Sequence, residues 1–391
     1  MSRAASSDET WDLAVVGAGP AGSVAAISAL RSAPHLRVLL LDRADFPRDK
    51  CCGDGIAPHV VDVLREVGAE AVTDGWRPVD VLNLSRGSHE ATGVMRRSAW
   101  VIPREVFDAR LVERAVAAGA VLRRRRVQHV VPGDGVVTLD DEIRARVLVG
   151  ADGAESVVRR SLGGRRHGRR ALAVRGYAPT RPDGAGRQVI RFGEGRRPAY
   201  AWAFDRGDGW SNVGYGELVD RGTGRRPTRA SMLEQLDVLL PGYVEPATAW
   251  TGHHLPLSGR RWDQPDGPVL LAGDAAGLVN PMTGEGIYYA VLTGLLAGRA
   301  AARAIASGTA TAAGRAYRGD VRRRLARHLE HTWAASLLSR SPAVVHAGIT
   351  AAARDRAVFD DLVELGLGDG RITPRLGRGL ARTLVTNTRG R

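Results

Sequence analysis

The run Asp45-Phe46-Pro47-Arg48-Asp49-Lys50-Cys51-Cys52-Gly53-Asp54-Gly55-Ile56 gathers carboxylates, thiols and an ammonium into one short segment. Lys50 is the only lysine among 56 basic residues, which points to a need for a compact ammonium there in place of a planar guanidinium, the alternative being chance retention. Neighbouring cysteines cannot normally close a disulfide without a strained ring. Cys51 and Cys52 are therefore thiols, either reactive or acting as small buried hydrophobes. A second constellation is Gly17-Ala18-Gly19-Pro20-Ala21-Gly22, with Asp42 twenty residues further on. The three glycines give a tight turn, close approach to a pyrophosphate and helix-on-sheet packing, and the acid reaches a ribose hydroxyl. Arg43 either contacts the adenine side or simply faces solvent.

The elements that must position these groups can be read from the surrounding pattern. Asp12 to Val16 is a β-branched strand entering the glycine turn, Ala21 to Leu30 is helical, and Val38 to Leu41 is a second strand ending at Asp42. Strand, turn, helix and strand make a βαβ unit and a parallel sheet. Free N–H groups at the helix start then face the phosphates. Arg104 to Gly119 reads as a helix, Arg126 to Val131 as a strand leading into a hairpin at Pro132-Gly133-Asp134-Gly135, and Val147 to Val149 as another strand. From about Ala171 to Trp262, short alternating segments broken by Gly and Pro predict an antiparallel sheet. Val269 to Ala272 is a buried strand, Gly286 to Ser307 a long helix, and the remainder is helical and Arg-rich.

Several further motifs resemble the FAD-dependent oxidoreductases of the aromatic-hydroxylase and geranylgeranyl-reductase superfamily. They are Val149-Gly150-Ala151-Asp152-Gly153 with Ser156 and Arg159, Leu271-Ala272-Gly273-Asp274-Ala275-Ala276, and Asn280-Pro281-Met282-Thr283-Gly284-Glu285-Gly286. The resemblance implies that Asp152 lies near the flavin pyrophosphate and that Gly273 and Asp274 meet the ribityl chain. It places Pro281, Gly284 and Gly286 beside the flavin ring, where a helix start stabilises the charge of the reduced state. It also brings Arg48 and Arg104 towards the cofactor and the Val127 backbone to the adenine. Arg104 alternatively pairs with Asp108 on its own helix.

The cysteine segment is similar to the FPRxKPCGxG element of geranylgeranyl reductases and of the related actinobacterial menaquinone-chain reductases. Cys52 matches the family cysteine, whereas Cys51 stands where the family has proline. Pro198-Ala199-Tyr200-Ala201-Trp202-Ala203-Phe204-Asp205 and Asn212-Val213-Gly214 resemble a second element of that branch, with Asp205 in place of proline and one residue fewer before the tyrosine. Tyr200, Trp202 and Phe204 alternate with alanines, so their rings share one strand face, as an apolar substrate wall or as an ordinary core strand.

The fold implied is a glutathione-reductase-type Rossmann-like FAD-binding domain (residues 1–78, 101–168 and 266–305). An inserted antiparallel substrate domain (79–100 and 169–265) and a helical segment (306–391) complete the α/β chain. The resemblance implies reduction of an isoprenoid C=C bond, with an acid, Cys52 or a water near Lys50 and Asp54, protonating one carbon as hydride reaches the other. The rival reading with the same fold and cofactor is a monooxygenase of a prenylated or terpenoid metabolite. No second glycine-rich unit follows for a nicotinamide domain, so the electron donor is a transiently bound NAD(P)H or a reduced protein carrier.

The formal charge is +14, and Arg299 to Arg391 carries 17 Arg against 7 acids. Only Tyr317, Trp333 and Phe359 interleave that charge, too few aromatics for nucleic acid. Arginine-biased composition is the plainer reading of that charge, and an anionic membrane surface or an isoprenoid diphosphate is the partner that would suit it. The cysteine usage, the absence of an apolar leader in Met1 to Thr10 and the shortness of the longest apolar stretch predict a cytoplasmic protein, with a peripheral place at the inner membrane face as the alternative. No His/Cys cluster provides a metal site, and the sequence sets no oligomeric state.

Overall fold

In the computed structural model, residues 10–133, 135–163, 168–195, 198–219, 227–260 and 262–389 are described, so the polar start, Asp134 of the hairpin and the last residues lie outside them. In chain order the first elements are β1 (Thr10–Val16), α1 (Pro20–Ser32), β2 (Val38–Asp42), β3 (Gly55–Ile56) and α2 (Pro58–Glu66). Next come β4 (Pro78–Arg86), β5 (His89–Val101), α3 (Arg104–Ala117), β6 (Val121–Arg124), β7 (Val130–Pro132), β8 (Val137–Leu139), β9 (Ile143–Gly150) and α4 (Val157–Ser161). β10 (Arg169–Pro179), β11 (Arg187–Phe192), β12 (Ala199–Asp205), β13 (Trp210–Val219), α5 (Arg229–Leu239), β14 (Thr248–Leu257) and β15 (Val269–Leu271) follow. The chain ends in α6 (Ile287–Ala306), α7 (Ala313–Leu338), α8 (Pro342–Arg354), α9 (Arg356–Leu367) and α10 (Pro374–Arg389).

One sheet has the order β6-β2-β1-β9-β8-β7, with β15 also on β9. Its centre is parallel, as the βαβ reading requires. Both faces are covered, because Leu13 and Val15 of β1 enter the core under α1 and α6 while Ala14 and Val16 enter a second core behind the sheet. This two-sided burial explains the continuous apolar run of β1. α6 presses closely on α1: a side chain at Gly294 would stand 2.3 Å from the Ala21 carbonyl.

The strand expected at Arg126 to Val131 is corrected. The chain instead pairs Val121–Arg124 with β2 and resumes at Val130–Pro132. Between these strands the Gln128 and His129 N–H groups both donate to Asp140 Oδ1 at 2.8 Å. A side-chain carboxylate thus satisfies backbone donors that a ladder would otherwise have taken.

The other sheet has the order β14-β10-β13-β12-β11-β4-β5-β3. It is antiparallel as expected, except that β11 and β4 run parallel, because the β4–β5 hairpin arrives from much earlier in the chain and joins at that edge. α8 and α9 pack on this hairpin through Ile349, Ala352 and Phe359 against Leu82, Ala91, Met95 and Ala99. α7 is tied to the first sheet by Tyr317, whose hydroxyl donates to the Leu271 carbonyl at 2.8 Å. Among the described residues, no helix is long and apolar enough to cross a membrane.

Candidate active site

A single cavity of about 1280 Å³ runs from the end of β1, past the cysteine segment, to the underside of α8 and α9. At one end Gly17 has φ +98°, and a side chain on Gly22 would meet the Gly17 carbonyl at 1.8 Å, so the turn closes only with glycine. α1 starts at Gly19 with Pro20, no acid in its first turn and no side-chain cap. Its N-terminal donors are left for an anion. Asp42 accepts the Ala18 N–H at 2.8 Å and the Ala44 N–H at 3.0 Å, which fixes its carboxylate at the strand end. Gly17, Gly19, Asp42, Arg43 and Val127 line this groove, Arg43 exposed and Val127 buried. Gly22 and Gly273 are not lining residues; Gly22 sits behind the turn, and the Gly273 N–H is held by the Thr293 hydroxyl at 2.9 Å.

Asp152 accepts the Ser156 hydroxyl and the Val157 N–H, capping the short α4 while lining the cavity. Arg159 braces the same corner through the Ala275 and Ala154 carbonyls. Pro281, Gly284 and Gly286 line the wall where α6 begins, and Asn280 orders that loop by accepting the Met282 N–H at 2.9 Å. Glycine-lined backbone, uncapped helix donors and a fixed carboxylate in one continuous groove fit FAD.

Arg104 does not extend freely into the groove. It forms a bidentate pair with Asp108 at 2.7 and 2.8 Å, and Arg48 joins the same carboxylate at 3.1 Å. The charge of the nearby Arg104 guanidinium favours the Cys52 thiolate, but less strongly than burial opposes it. Burial pushes the Cys52 thiol up to about 11, so it keeps its proton at neutral pH. Lys50 Nζ lies 3.1 Å from Asp274 Oδ2. Burial would raise the Asp274 carboxyl, but Lys50 and then His253 hold it below the usual carboxylate range. Cys51 faces the eight-stranded sheet, its sulfur 3.5 Å from the Thr251 carbonyl of β14. Asp205 accepts the Gly186 and Gly207 N–H groups and orders the neighbouring turns.

Tyr200, Trp202 and Phe204 line the cavity from one face of β12, with successive ring centroids 5.8 and 6.4 Å apart. Trp202 Nε1 donates to Asn212 Oδ1 at 2.8 Å, and the Tyr200 hydroxyl donates to the Thr283 carbonyl.

The structure shows how Asp54, expected beside an acid-donating water, is held, and adds Glu285 and His253, to which the sequence assigned no role. Asp54, fully buried at φ +59°, accepts the Tyr177 hydroxyl and the Asn212 amide on Oδ2, both at 2.7 Å, while its Oδ1 has no partner. The Asn212 amide also donates to the Cys52 carbonyl at 2.8 Å. Burial raises Asp54 to about 6 and Glu285 to about 7 and lowers His253 to about 4. The opposite roof, including Val345, Ile349, Leu362 and Leu376, comes from the C-terminal helices, in which no motif was legible.

Residues 10–186 match the family described as FAD binding domain. The chain is 33% identical over 320 residues to a menaquinone reductase of Mycobacterium tuberculosis, covering 74% of this chain and 76% of that one. It is 34% identical over 338 residues to digeranylgeranylglycerophospholipid reductase 1 of Methanopyrus kandleri, covering 75% and 81%. The crystal structure of a geranylgeranyl bacteriochlorophyll reductase-like protein from Thermoplasma acidophilum aligns with TM-score 0.79 at 20% identity, over 98% of this chain and 99% of that one, which shows the shared fold. With a dinucleotide groove, a cysteine loop and an aromatic wall opening on one cavity, this chain belongs to the geranylgeranyl reductase family of FAD-dependent oxidoreductases.

Proposed function

We propose that this enzyme saturates a C=C bond in an isoprenoid chain. The observation that carries the reading is the continuity of the cavity: the groove fitted to FAD opens, past Cys52, onto an aromatic and aliphatic passage under α8 and α9. Such a passage suits a long apolar chain. When bound and reduced, FAD supplies hydride. The chain's own residues supply the proton and the setting. Cys52 holds a proton on sulfur at neutral pH, and the charge of Arg104 stabilises the negative charge that develops there as the proton leaves. Lys50 acts as a positioning residue that fixes the Asp274 carboxylate. Tyr200, Trp202 and Phe204 orient the chain and exclude water.

Reducing equivalents come from a transiently docked donor, NAD(P)H or a reduced protein carrier. The oxygenase reading shares the fold and cofactor, but the named relatives above 30% identity are reductases, which favours saturation. The test is mass spectrometry of prenyl substrates incubated with enzyme, FAD and reductant, without oxygen and under labelled oxygen. A gain of two hydrogens in the anaerobic arm supports the reading. A labelled oxygen in the product, absent anaerobically, overturns it.

A further inference from the structure

A thiol that gives up its proton in each reduction must take one back before the next. The π bond is replaced by two C–H bonds, the two electrons arrive as hydride from the flavin, and Cys52 is left as a thiolate. Water cannot return the proton through the cavity while an apolar chain fills it against Tyr200, Trp202 and Phe204. Arg104, whose charge acts on Cys52, has no proton to give at neutral pH. Asp54 and Glu285 are acids whose charges also act on the thiol. Glu285 lines the cavity and is engaged at the start of α6, where it accepts the Tyr288 N–H at 2.9 Å. Asp54 stands behind the wall: Gly53 and Gly55 line the cavity, whereas Asp54 between them does not and is fully buried.

Asp54 is an expensive choice for a loop anchor. At its φ of +59° a glycine would be unstrained, and burying a carboxylate with an oxygen unpaired is costly. The Tyr177 hydroxyl and the Asn212 amide both donate to Oδ2 at 2.7 Å, which leaves Oδ1, without a partner, as the oxygen that carries a proton. The same Asn212 amide donates to the Cys52 carbonyl at 2.8 Å, so one side chain of β13 holds both the acid and the backbone of the thiol. In the other direction the bonds lead outward. Tyr177 is partly exposed, with the Arg175 and Arg206 guanidiniums 4.5 and 4.8 Å from its ring centroid. We infer that Asp54 and Tyr177 form a proton relay that recharges Cys52 from solvent behind the cavity wall. The Asp54 O–H bond breaks as the Cys52 S–H bond forms, directly or across one water. The Tyr177 hydroxyl then returns a proton to Oδ2 as it takes one from solvent, and remains neutral throughout. The inference rests on Cys52 as the acid of the isoprenoid reading, but the coupling of Asp54 to the thiol can be observed without turnover.

The first experiment mixes reduced, FAD-loaded enzyme rapidly with geranylgeranyl diphosphate under excess dithionite, without oxygen, and counts reductions per enzyme in the wild type, Asp54→Asn and Tyr177→Phe. The thiol carries its proton at the start, so the first reduction precedes any need for the relay. The ratio of the first rate to the later rate is expected to rise by about tenfold or more over the wild type in Asp54→Asn, and by less in Tyr177→Phe. Tyr177→Phe keeps the carboxyl in place and covers the case in which Asp54→Asn fails to fold. First and later reductions slowed alike, or a burst in Glu285→Gln with none in Asp54→Asn, overturns the relay. The second experiment follows alkylation of Cys52 by iodoacetamide in the oxidised, FAD-loaded enzyme at one alkaline pH, on a Cys51→Ser background. Removing the Asp54 charge favours the thiolate, so alkylation is expected to quicken severalfold in Asp54→Asn. An unchanged rate overturns the inference, whereas an intact alkylation response with no prenyl reduction by the wild type overturns the isoprenoid reading alone.

Discussion

Lys50 Nζ sits 3.1 Å from Asp274 Oδ2, joining the cysteine loop to the turn that follows β15 across 224 residues of sequence. The lone lysine of the chain therefore meets a carboxylate at the cavity wall, and Asp274 is held by the same loop that carries Cys52.

Replacing Lys50 by Met leaves Asp274 buried without its ammonium. Loss of a fully buried partner costs about 3–5 kcal/mol, and partial exposure of this pair brings the expectation down to about 2 kcal/mol. The expected outcome is a lower Tm and weaker FAD retention, read by thermal unfolding and flavin fluorescence. Lys50→Arg restores the charge without the compact geometry and recovers only part of the loss; wild-type Tm and flavin content in Lys50→Met would refute the positioning role.

Cys52→Ser is expected to lower turnover by about 10²–10⁴-fold while leaving FAD content unchanged. The measurement is anaerobic reoxidation of the reduced enzyme by a prenyl substrate. Cys51→Ser, at a sulfur held by backbone carbonyls, controls for loop damage. Equal rates in the two variants would count against Cys52 as proton donor.

Asp54 gives a pH signature. Its folded-state pKa, raised by burial to about 6 from 3.8, means that its contribution to stability is fully present below about pH 4 and is lost as pH rises through 6. Asn tolerates positive φ and carries no such titration. The Tm of Asp54→Asn relative to the wild type should therefore rise between pH 4 and 7, and a difference that is flat with pH would contradict the buried, protonated state.

Trp202 is buried and anchored to Asn212. Trp202→Ala should destabilise the protein by about 3–5 kcal/mol and raise KM for long-chain substrates more than for short ones. Trp202→Phe keeps the wall and loses only the hydrogen bond, so a similar fall in stability for both variants would show that the ring surface is unimportant.

α10 presents Arg378 and Arg382 outward while Leu376 and Thr383 turn inward. Each surface arginine adds about 1 kcal/mol of attraction to an anionic bilayer. Co-sedimentation with anionic liposomes should increase as salt is removed and decrease in Arg378→Gln/Arg382→Gln. Partitioning independent of salt would exclude this contact.

The sequence alone determined the dinucleotide turn, the strand-helix-strand unit, the cysteine loop and the shared face of Tyr200, Trp202 and Phe204. Each is local: a glycine turn or a period of two acts over a few residues, so residue type and spacing carry it. The strand misplaced at Arg126 to Val131 shows the limit, since Asp140, outside that window, decided where the backbone bonds went. Only the tertiary structure brought Tyr177 to Asp54 across 123 residues, tied Arg169 to Ser336 across 167 and laid the C-terminal helices over the cavity. Those contacts depend on which buried faces meet when two sheets and a helical layer pack, and apolar periodicity marks a face as buried without naming the face opposite it.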